Sequence, residues 1–267
     1  MKQSVRLFLK SFLLSFIIIG GVAAVILIVM IQSQTKEESP TTQYVYQASK
    51  DEDLTTLLIF TPSRGGEAER FLLLHISAMQ NRISIAELPI TMKTTVNGKT
   101  DTISGMYDYG GASYAVRGVS EKLEITIHRY MRIDYNGLIQ IVDYLGGMAY
   151  TPSEMVETIW EDGSMTVIQP VEQMIDGRRF LALAKQGDIA QLLSILCQQQ
   201  INKEFEEKLD DFYSTLMNET DSNCSSLDYE LRKFGWKQML RQETAEFTII
   251  PIESDESAWI EEIQNHF

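Results

Sequence analysis

The chain has 267 residues, of which 44% are apolar and 22% are charged, and its formal net charge is −14. This composition allows a sizeable core in one or two domains. The acidic balance argues against nucleic acid as a partner and against unaided attraction of phosphorylated ligands, although it is also typical of a solubilising surface.

The first prediction concerns residues 11–32, an apolar run without a charged side chain. A helix of that length, at ~1.5 Å per residue, crosses a hydrocarbon core of ~30 Å. A cleaved signal peptide would have a shorter apolar region that ends in an Ala-x-Ala pattern, so we predict an uncleaved anchor. Cations precede the run and Glu37 and Glu38 follow it, which places the N-terminus in the cytoplasm and the rest outside the plasma membrane.

Residues 33–53 are polar and are interpreted as a linker. Two continuous apolar runs follow, residues 54–60 and 71–78, with a Pro-Ser-Arg-Gly-Gly turn between them. Residues 82–88 form a third strand-like segment that stops at Leu88-Pro89. Continuous apolarity indicates central strands that are covered on both faces, and the short turns predict a meander.

After Asp101 the hydrophobic period changes between helix and strand. The patterns predict a helix after Gly110-Gly111 that includes Tyr114 to Leu123, a strand over 125–134, a helix closed by Gly146-Gly147, short strands beginning at 148 and 164, and a helical segment over 177–184. Asp188 is a candidate N-cap for one long amphipathic helix that reaches Leu216. A helix over 227–240 and a strand over 246–252 complete an α/β fold, borderline with α+β, with a central mixed sheet flanked by helices.

Catalytic and metal motifs are not found by inspection of the sequence. The three histidines have no metal-ligand spacing, and Cys-x-x-Cys, Gly-x-Ser-x-Gly and P-loop patterns are missing. Cys197 and Cys224 could form a disulfide outside the cell, or Cys197 could be a buried free thiol. The motifs alone therefore predict an anchored extracytoplasmic α/β domain whose role they do not define, and no catalytic residue is assigned.

Several strings, in the same order, resemble the LytR-CpsA-Psr family between about Leu54 and Ser254. They include "DTISGMYDYGG" (101–111), "YMRIDYNGLIQIVDYLGG" (130–147) and "IQPVEQMIDGRRFLALAK" (168–185). The resemblance implies a single N-terminal anchor and an outer domain of the bacterial cell envelope. It also implies transfer of glycopolymers from a polyprenyl pyrophosphate carrier to peptidoglycan, with Mg²⁺, arginines that bind the pyrophosphate and an apolar groove for the prenyl chain.

The same resemblance assigns the candidate ligand-binding positions, which are Thr55, Ile90, Thr91, Thr102, Lys185, Asp188, Gln191 and Ser194. Relatives carry aspartate at the position of Thr55, arginine and aspartate at Ile90 and Thr91, and lysine at Thr102. Gln191 and Ser194 occupy positions where relatives carry arginines. An alternative alignment register places Cys197 at an arginine position instead, and that register restores no arginine either. A charge-assisted hydrogen bond is worth ~1.5–3 kcal/mol, so the loss of several weakens pyrophosphate binding by orders of magnitude.

We therefore predict a degenerate family member that binds lipid or partners without transferase activity and without a required cofactor, Mg²⁺ being needed only if the activity survives. The expected partners are the membrane, a polyprenyl lipid carrier, a cell-wall polymer or active relatives, and no nucleic acid. The alternatives are an active transferase with a rearranged site, in which Asp53 replaces a metal ligand, or an unrelated anchored binding or structural domain. The predicted divisions are a cytoplasmic tail (1–10), the anchor (11–32), the linker (33–53), the outer domain (54–255) and a C-terminal tail (256–267).

Overall fold

The computed structural model describes residues 46–242, 245–252 and 255–267. The chain divides into two units, Met1–Tyr46 and Gln47–Phe267, and the fold below is that of the second unit. The predicted cytoplasmic tail, the anchor over 11–32 and most of the linker lie outside the described residues. Within the described ranges, no helix combines the length and apolarity that a membrane crossing requires.

The described part of the chain alternates strands and helices. The strands are β1 (Leu54–Thr61), β2 (Arg70–Ser77), β3 (Arg82–Leu88), β4 (Lys93–Val96), β5 (Lys99–Thr102), β6 (Arg129–Asp134), β7 (Met148–Tyr150), β8 (Val156–Ile159), β9 (Met165–Ile168), β10 (Gln173–Ile175), β11 (Thr220–Ser222) and β12 (Glu246–Ile249). The helices are α1 (Ile103–Leu123), α2 (Tyr135–Leu145), α3 (Gly177–Gln186), α4 (Ile189–Gln200), α5 (Leu209–Glu219), α6 (Ser226–Gln242) and α7 (Glu256–His266), with short 3-10 segments at Lys50–Glu52 and Lys203–Lys208.

Six strands form the central sheet in the order β11-β6-β1-β2-β3-β12. Strands β1, β2 and β3 make an antiparallel meander, while β6 runs parallel to β1 and β12 runs parallel to β3. The predicted mixed sheet with flanking helices is confirmed. Every residue of β1 is buried, as its continuous apolar run indicates.

The sheet is covered on both faces by separate hydrophobic clusters. Successive side chains of a strand point to opposite faces, so Leu58 of β1 packs in one cluster and Leu57 packs in the other. The first cluster includes buried residues of α2, α3 and α4, and the second includes buried residues of α1 and α7. The unit from Gln47 to Phe267 is therefore a three-layer arrangement with β1 in its middle layer.

The single long helix predicted from Asp188 to Leu216 is wrong, because the chain divides there into α4, a 3-10 segment and α5. Asn202 has an extended backbone, and its side chain accepts a hydrogen bond from the backbone N–H of Glu204. An asparagine that caps the following turn in this way competes with a continuous helix. Phe205 of the 3-10 segment is buried in a small hydrophobic cluster with Leu209, Tyr229 and Leu240.

Four further features differ from the sequence prediction. The Asn97-Gly98 turn, a strong hairpin signal that the prediction missed, joins β4 and β5, and both of its residues have positive φ. Helix α1 begins at Ile103 rather than after the glycine pair, and Gly111 interrupts it with non-helical dihedrals. Strand β6 is shorter than the predicted strand over 125–134. Residues 256–267, expected as a tail, form α7, in which Trp259 and Ile263 are buried.

Candidate functional site

The strands β1, β3 and β6 run in the same direction, so their C-terminal ends meet at one edge of the sheet, here called the carboxyl edge. Strand β2 begins at this edge, because Arg70 lies opposite Phe60 near the end of β1. A cleft of about 370 Å³ opens at this edge. Its wall consists of Phe60, Glu69, Arg70, Tyr135, Leu138, Leu181, Ala184, Lys185 and Ile189. We call it the Arg70 cleft.

The charged groups of the Arg70 cleft already have partners within the chain. The Nη1 atom of Arg70 donates to Glu87 Oε1 at 2.8 Å and to the carbonyl oxygen of Gly187 at 3.2 Å. Burial raises the pKa of the Glu87 carboxyl, and the nearby Arg70 opposes that rise. The guanidinium is thus compensated by a carboxylate before any ligand arrives.

The second cation of the cleft is Lys185, and it lies among aromatic rings. Its Nζ atom is 4.8 Å from the centroid of Tyr135 and 5.5 Å from that of Trp160. The hydroxyl of Tyr135 donates to a carboxylate oxygen of Glu69. Burial and that carboxylate raise the pKa of Tyr135 above its usual range. The cleft therefore offers one ammonium group on an aromatic wall, beside two carboxylates.

The structure brings three of the predicted site residues together at the end of β3. The turn after Pro89 is closed by a hydrogen bond from the N–H of Met92 to the carbonyl oxygen of Pro89, at 2.9 Å. Ile103 N then donates to Met92 O, which sets the start of α1 against this turn. Thr102 caps α1 by accepting from Gly105 N at 3.0 Å, so Ile90, Thr91 and Thr102 form a neutral lip.

The second group of predicted residues lies at the junction of α3 and α4. Asp188 caps α4, as predicted, because its Oδ1 accepts from Gln191 N at 3.0 Å. Ser194 is only 2% exposed, and its hydroxyl oxygen accepts from Gln198 Nε2 at 3.1 Å. Of the four residues at this junction, Lys185 alone lines the Arg70 cleft.

The structure does not bring Thr55 together with the other candidates. Thr55 is the second residue of β1 and lies at the opposite edge of the sheet, here called the amino edge, beside His75 of β2. Its Oγ1 is 2.9 Å from His75 Nδ1, and its backbone N–H donates to His128 Nδ1 at 3.0 Å. The threonine is therefore part of a buried polar network at that edge.

Asp53, the alternative metal ligand, also lies at the amino edge. It is 7% exposed rather than solvated, and its Oδ2 is 3.9 Å from His75 Nε2. Among the residues that the structure describes, no group of three or more His, Cys, Asp or Glu side chains is arranged to hold a metal ion. Asp53 lies at the edge opposite to the Arg70 cleft, so its carboxylate is not placed to act as a metal ligand in that cleft.

A second cavity, of about 230 Å³, lies between the sheet and the helices α2, α4, α5 and α6. We call it the apolar cavity because nearly all of its lining is hydrophobic, including Leu58, Met131, Ile141, Leu193, Leu196 and Phe212. Cys197 lines it as well, and burial raises the pKa of that thiol to about 12. Cys197 and Cys224 are both free cysteines, so they do not form a disulfide.

Sequence reasoning missed the residues that determine the electrostatics of the Arg70 cleft. Glu69 and Arg70 come directly before the apolar run of β2, and Glu87 comes directly before Leu88-Pro89 at the end of β3. The sequence signal that could have identified these residues is a charged side chain at the end of an otherwise apolar strand. Tyr135, which follows β6 at the same edge, gives no comparable signal in the sequence.

Comparison with known proteins finds sequence relatives. A sequence model described as the LytR_cpsA_psr family matches residues 27–204. A polyisoprenyl-teichoic acid–peptidoglycan teichoic acid transferase TagU from Bacillus cereus is 27% identical over 110 residues, which is 39% of this chain and 36% of that protein. The TagU of Halalkalibacterium halodurans is 25% identical over 119 residues, 42% of this chain and 39% of the relative. The matched part thus spans well under half of the length of these relatives.

Solved structures share the fold at low sequence identity. A structure of a proposed transcription regulator from Eubacterium siraeum has a TM-score of 0.72 and 16% identity, and covers 85% of this chain and 96% of its own. Bacillus subtilis TagV has a TM-score of 0.63 and 13% identity, with coverages of 82% and 96%. TagT bound to LIIa-WTA has a TM-score of 0.61 and 14% identity, with coverages of 83% and 95%. At such identities the likeness concerns the fold alone.

Proposed function

This chain belongs to the LytR_cpsA_psr family, and from that premise we propose that it is an anchored protein of the bacterial cell envelope that binds a polyprenyl-type lipid without transferring a glycopolymer. The apolar run over 11–32 serves as its plasma-membrane anchor, with the unit from Gln47 to Phe267 on the outer side. Its partners are then the membrane, a lipid carrier and cell-wall components, including active relatives.

The observation that carries this proposal is the apolar cavity. A prenyl chain has no hydrogen-bonding groups, so it gains free energy only where it displaces water from hydrocarbon surfaces. The lining from β1, β6, α2 and α4 supplies such surfaces beside the sheet. The relatives named as TagU act on polyisoprenyl-linked teichoic acid, which agrees with a lipid of this chemistry.

The Arg70 cleft supports the second half of the proposal, the lack of transfer. Pyrophosphate departure requires fixed cations that neutralise the developing negative charge. Here Arg70 is held by Glu87, and Ile90 and Thr91 supply no charge at the adjoining lip. The two cations of the cleft, Arg70 and Lys185, are balanced by the carboxylates of Glu69 and Glu87, so the cleft lacks the excess positive charge that would favour a pyrophosphate.

The lipid proposal is tested by filling the apolar cavity. Leu193→Trp places an indole in the wall of the cavity, whereas Val116→Trp makes a similar change at a partly buried position of the opposite hydrophobic cluster. A radiolabelled polyprenyl phosphate is incubated with the purified full chain. We expect retention by the wild type and by Val116→Trp, and a loss of about tenfold or more in affinity for Leu193→Trp. Equal retention by all three, or no retention by the wild type, contradicts the proposal.

A second assay separates binding from catalysis. The full chain is incubated with a polyprenyl pyrophosphate-linked sugar, Mg²⁺ and peptidoglycan, and sugar that becomes attached to peptidoglycan is measured. We expect no attachment above that of a boiled sample. Attachment that depends on the native chain establishes the competing function, an active transferase with a rearranged site.

A further inference from the structure

The hairpin of β8 and β9 has one face on the protein and one face in water. In its register Ile159 lies opposite Met165 and Glu157 lies opposite Val167. Gln169 Nε2 is 3.7 Å from Met155 Sδ, so these two side chains extend the same face by one further residue pair. We call these positions the outer hairpin face: Met155, Glu157, Ile159, Met165, Val167 and Gln169.

Four of the six side chains on this face are apolar, whereas the water-facing side of a ribbon is ordinarily polar. Ile159 is 77% exposed, Met165 is 60% exposed and Met155 is 49% exposed. Val156 and Ile168 lie on the opposite face of the hairpin and are buried, so that face already packs against the core. Contiguous exposed apolar side chains of this kind mark interaction sites more often than scattered ones.

The backbone of β9 is also available for pairing. Within the described ranges β9 pairs with β8 alone, because the two strands form a separate two-stranded sheet. Its sequence, Met-Thr-Val-Ile, carries neither a charge nor a proline that would block an added strand. An extended segment that hydrogen-bonds along β9 would place alternate side chains on the outer hairpin face.

The charge around this surface determines which partner fits. Residues 133–177 contain no lysine, arginine or histidine, whereas the hairpin and its approach carry Glu154, Glu157, Glu161 and Asp162. Arg178 of α3 lies 3.4 Å from Asp162, so one of these acids is partly compensated. The remaining field is negative and attracts a cationic partner.

The hairpin is held in place before a partner binds. Gln186 Nε2 of α3 donates to the carbonyl oxygen of Glu157 at 2.9 Å, and Trp160 Nε1 donates to Thr166 Oγ1 at 2.8 Å. The guanidinium carbon of Arg178 lies 4.9 Å from the Trp160 ring centroid. A preformed surface costs less to order on binding, and methionines such as Met165 adapt to varied side chains.

We propose that the outer hairpin face and the edge of β9 bind an extended, positively charged polypeptide segment of a partner protein, with apolar side chains that cover Ile159 and Met165. A second copy of this chain fits poorly, because it would bring Glu157 and Glu161 against the same acids. An anionic lipid surface is repelled for the same reason. Because Trp160 also contacts Lys185, the partner would lie beside the Arg70 cleft.

The probe is a fluorescein-labelled synthetic peptide in which Leu and Lys alternate, titrated with the purified full chain and followed by anisotropy. The test variant is Ile159→Ser with Met165→Ser. The matched control is Leu227→Ser with Leu231→Ser, which removes two equally exposed leucines from α6. We expect saturable binding by the wild type and by the control, and about tenfold weaker binding by the test variant.

Peptides of altered chemistry separate the two parts of the proposal. A peptide of alternating Leu and Glu is expected not to bind, and a peptide of alternating Ser and Lys is expected to bind weakly. Equal binding of the first contradicts the charge requirement, and equal binding of the second contradicts the apolar contact. An unchanged affinity of the test variant contradicts the location.

Two further assays test whether a second copy of the chain or a lipid surface covers the outer hairpin face instead. Sedimentation of the full chain at increasing concentration would show a dimer that the test variant loses if a second copy covers the face. Flotation with anionic phospholipid vesicles would differ between the wild type and the test variant if lipid covers it. Either result overturns the proposal, and equal behaviour of the two chains in both assays supports it. Failure of the lipid-retention assay above leaves these outcomes unaffected.

Discussion

Two polar clusters lie at opposite edges of the same sheet, and they differ in exposure. The Arg70 cleft at the carboxyl edge is open to solvent, with Glu87 and Arg70 half-buried. The His75 cluster at the amino edge, formed by Asp53, Thr55, His75 and His128, is largely buried. The comparison shows that polar groups at a strand end can lie open to solvent or in the interior, and that the segments packed over them decide which.

The residues that cover the His75 cluster at the amino edge come from α6 and from the segment that follows α7. The Nη2 atom of Arg232 in α6 donates to the carbonyl oxygen of Asp53 at 3.3 Å, and the ring centroid of Phe267 is 5.4 Å from that of His75. Arg232 is also 3.6 Å from Asp228, whose Oδ2 accepts from Arg129 Nε at 2.7 Å. The carboxyl edge has no comparable cover over its cleft in the described residues.

The largest expected effect is at the cover of the amino edge. Asp228→Ala leaves Arg129 and Arg232 without their shared carboxylate, and we expect the free energy of unfolding to fall by about 3–5 kcal/mol. Equilibrium urea denaturation measures the change. Asp221→Ala, which removes an exposed partner of Arg132, is the control and is expected to cost less than about 1 kcal/mol. Equal losses would mean that burial does not distinguish the two ion pairs.

The next effect concerns the hydrogen bond inside the His75 cluster. Thr55→Val preserves the shape of the side chain but leaves His75 Nδ1 without its threonine partner, so we expect a loss of about 1–3 kcal/mol. Thr91→Val at the exposed lip is the control, with an expected change within about 0.5 kcal/mol. Stability is measured by urea denaturation of the full chain. A neutral Thr55→Val would show that the contact contributes nothing net.

The His75 cluster should also make stability depend on pH. Burial lowers the pKa of His75 below 6.5, against the opposing effect of Asp53, and burial lowers the pKa of His128 as well. The unfolded chain then binds more protons than the folded chain between the lowered pKa and 6.5. Stability is therefore expected to fall as the pH falls below about 6.5, by at most about 1.4 kcal/mol per pH unit for each histidine.

The measurement of that pH dependence is a series of denaturation curves from about pH 7.5 to 5.5. His75→Gln removes one titrating group and is expected to give a shallower slope than the wild type, whatever its stability at the upper pH. A slope that is unchanged in this variant would assign the dependence to other groups.

The smallest effect is expected in the Arg70 cleft. Glu87→Gln removes the carboxylate that compensates Arg70, so inorganic pyrophosphate is expected to bind severalfold more tightly than to the wild type. Isothermal titration calorimetry measures it. Glu121→Gln removes the carboxylate partner of Arg117 on the exposed surface of α1 and is the control. If the affinity for pyrophosphate rises equally in both variants, the gain comes from the change in net charge, and removing the carboxylate beside Arg70 does not create an anion site in the cleft.

The sequence predicted the fold better than the site. The apolar runs over 54–60 and 71–78 correspond to β1 and β2, because a strand buried on both faces leaves an unbroken hydrophobic pattern. Gly146 caps α2 in the left-handed conformation, as its position indicated. The break at Asn202 was missed because the hydrophobic spacing continues through it, and a local cap overrides that spacing.

The candidate site was harder to predict because it depends on which strand ends share an edge. Thr55 and Ile90 occupy opposite ends of parallel strands, and this separation follows from the register rather than from sequence distance. Glu87 and Arg70 pair across neighbouring antiparallel strands, which requires the same knowledge. The family resemblance, not local sequence, singled out Ile90, Thr91 and Thr102 as candidates. They lie together because the β4–β5 hairpin returns the chain to the turn after Pro89.

The position of β12 has a consequence for how the molecule is built. This strand pairs with β3, although Phe247 and Ile83 are separated by most of the length of the folded unit. Helix α7, which follows β12, supplies Trp259 to the second hydrophobic cluster. The sheet edge and one of its two coverings therefore form only after a segment far along the chain from β3 has joined them. Such late, long-range closure slows folding, and it makes any truncation before Glu246 expose both an unpaired strand and an uncovered apolar face.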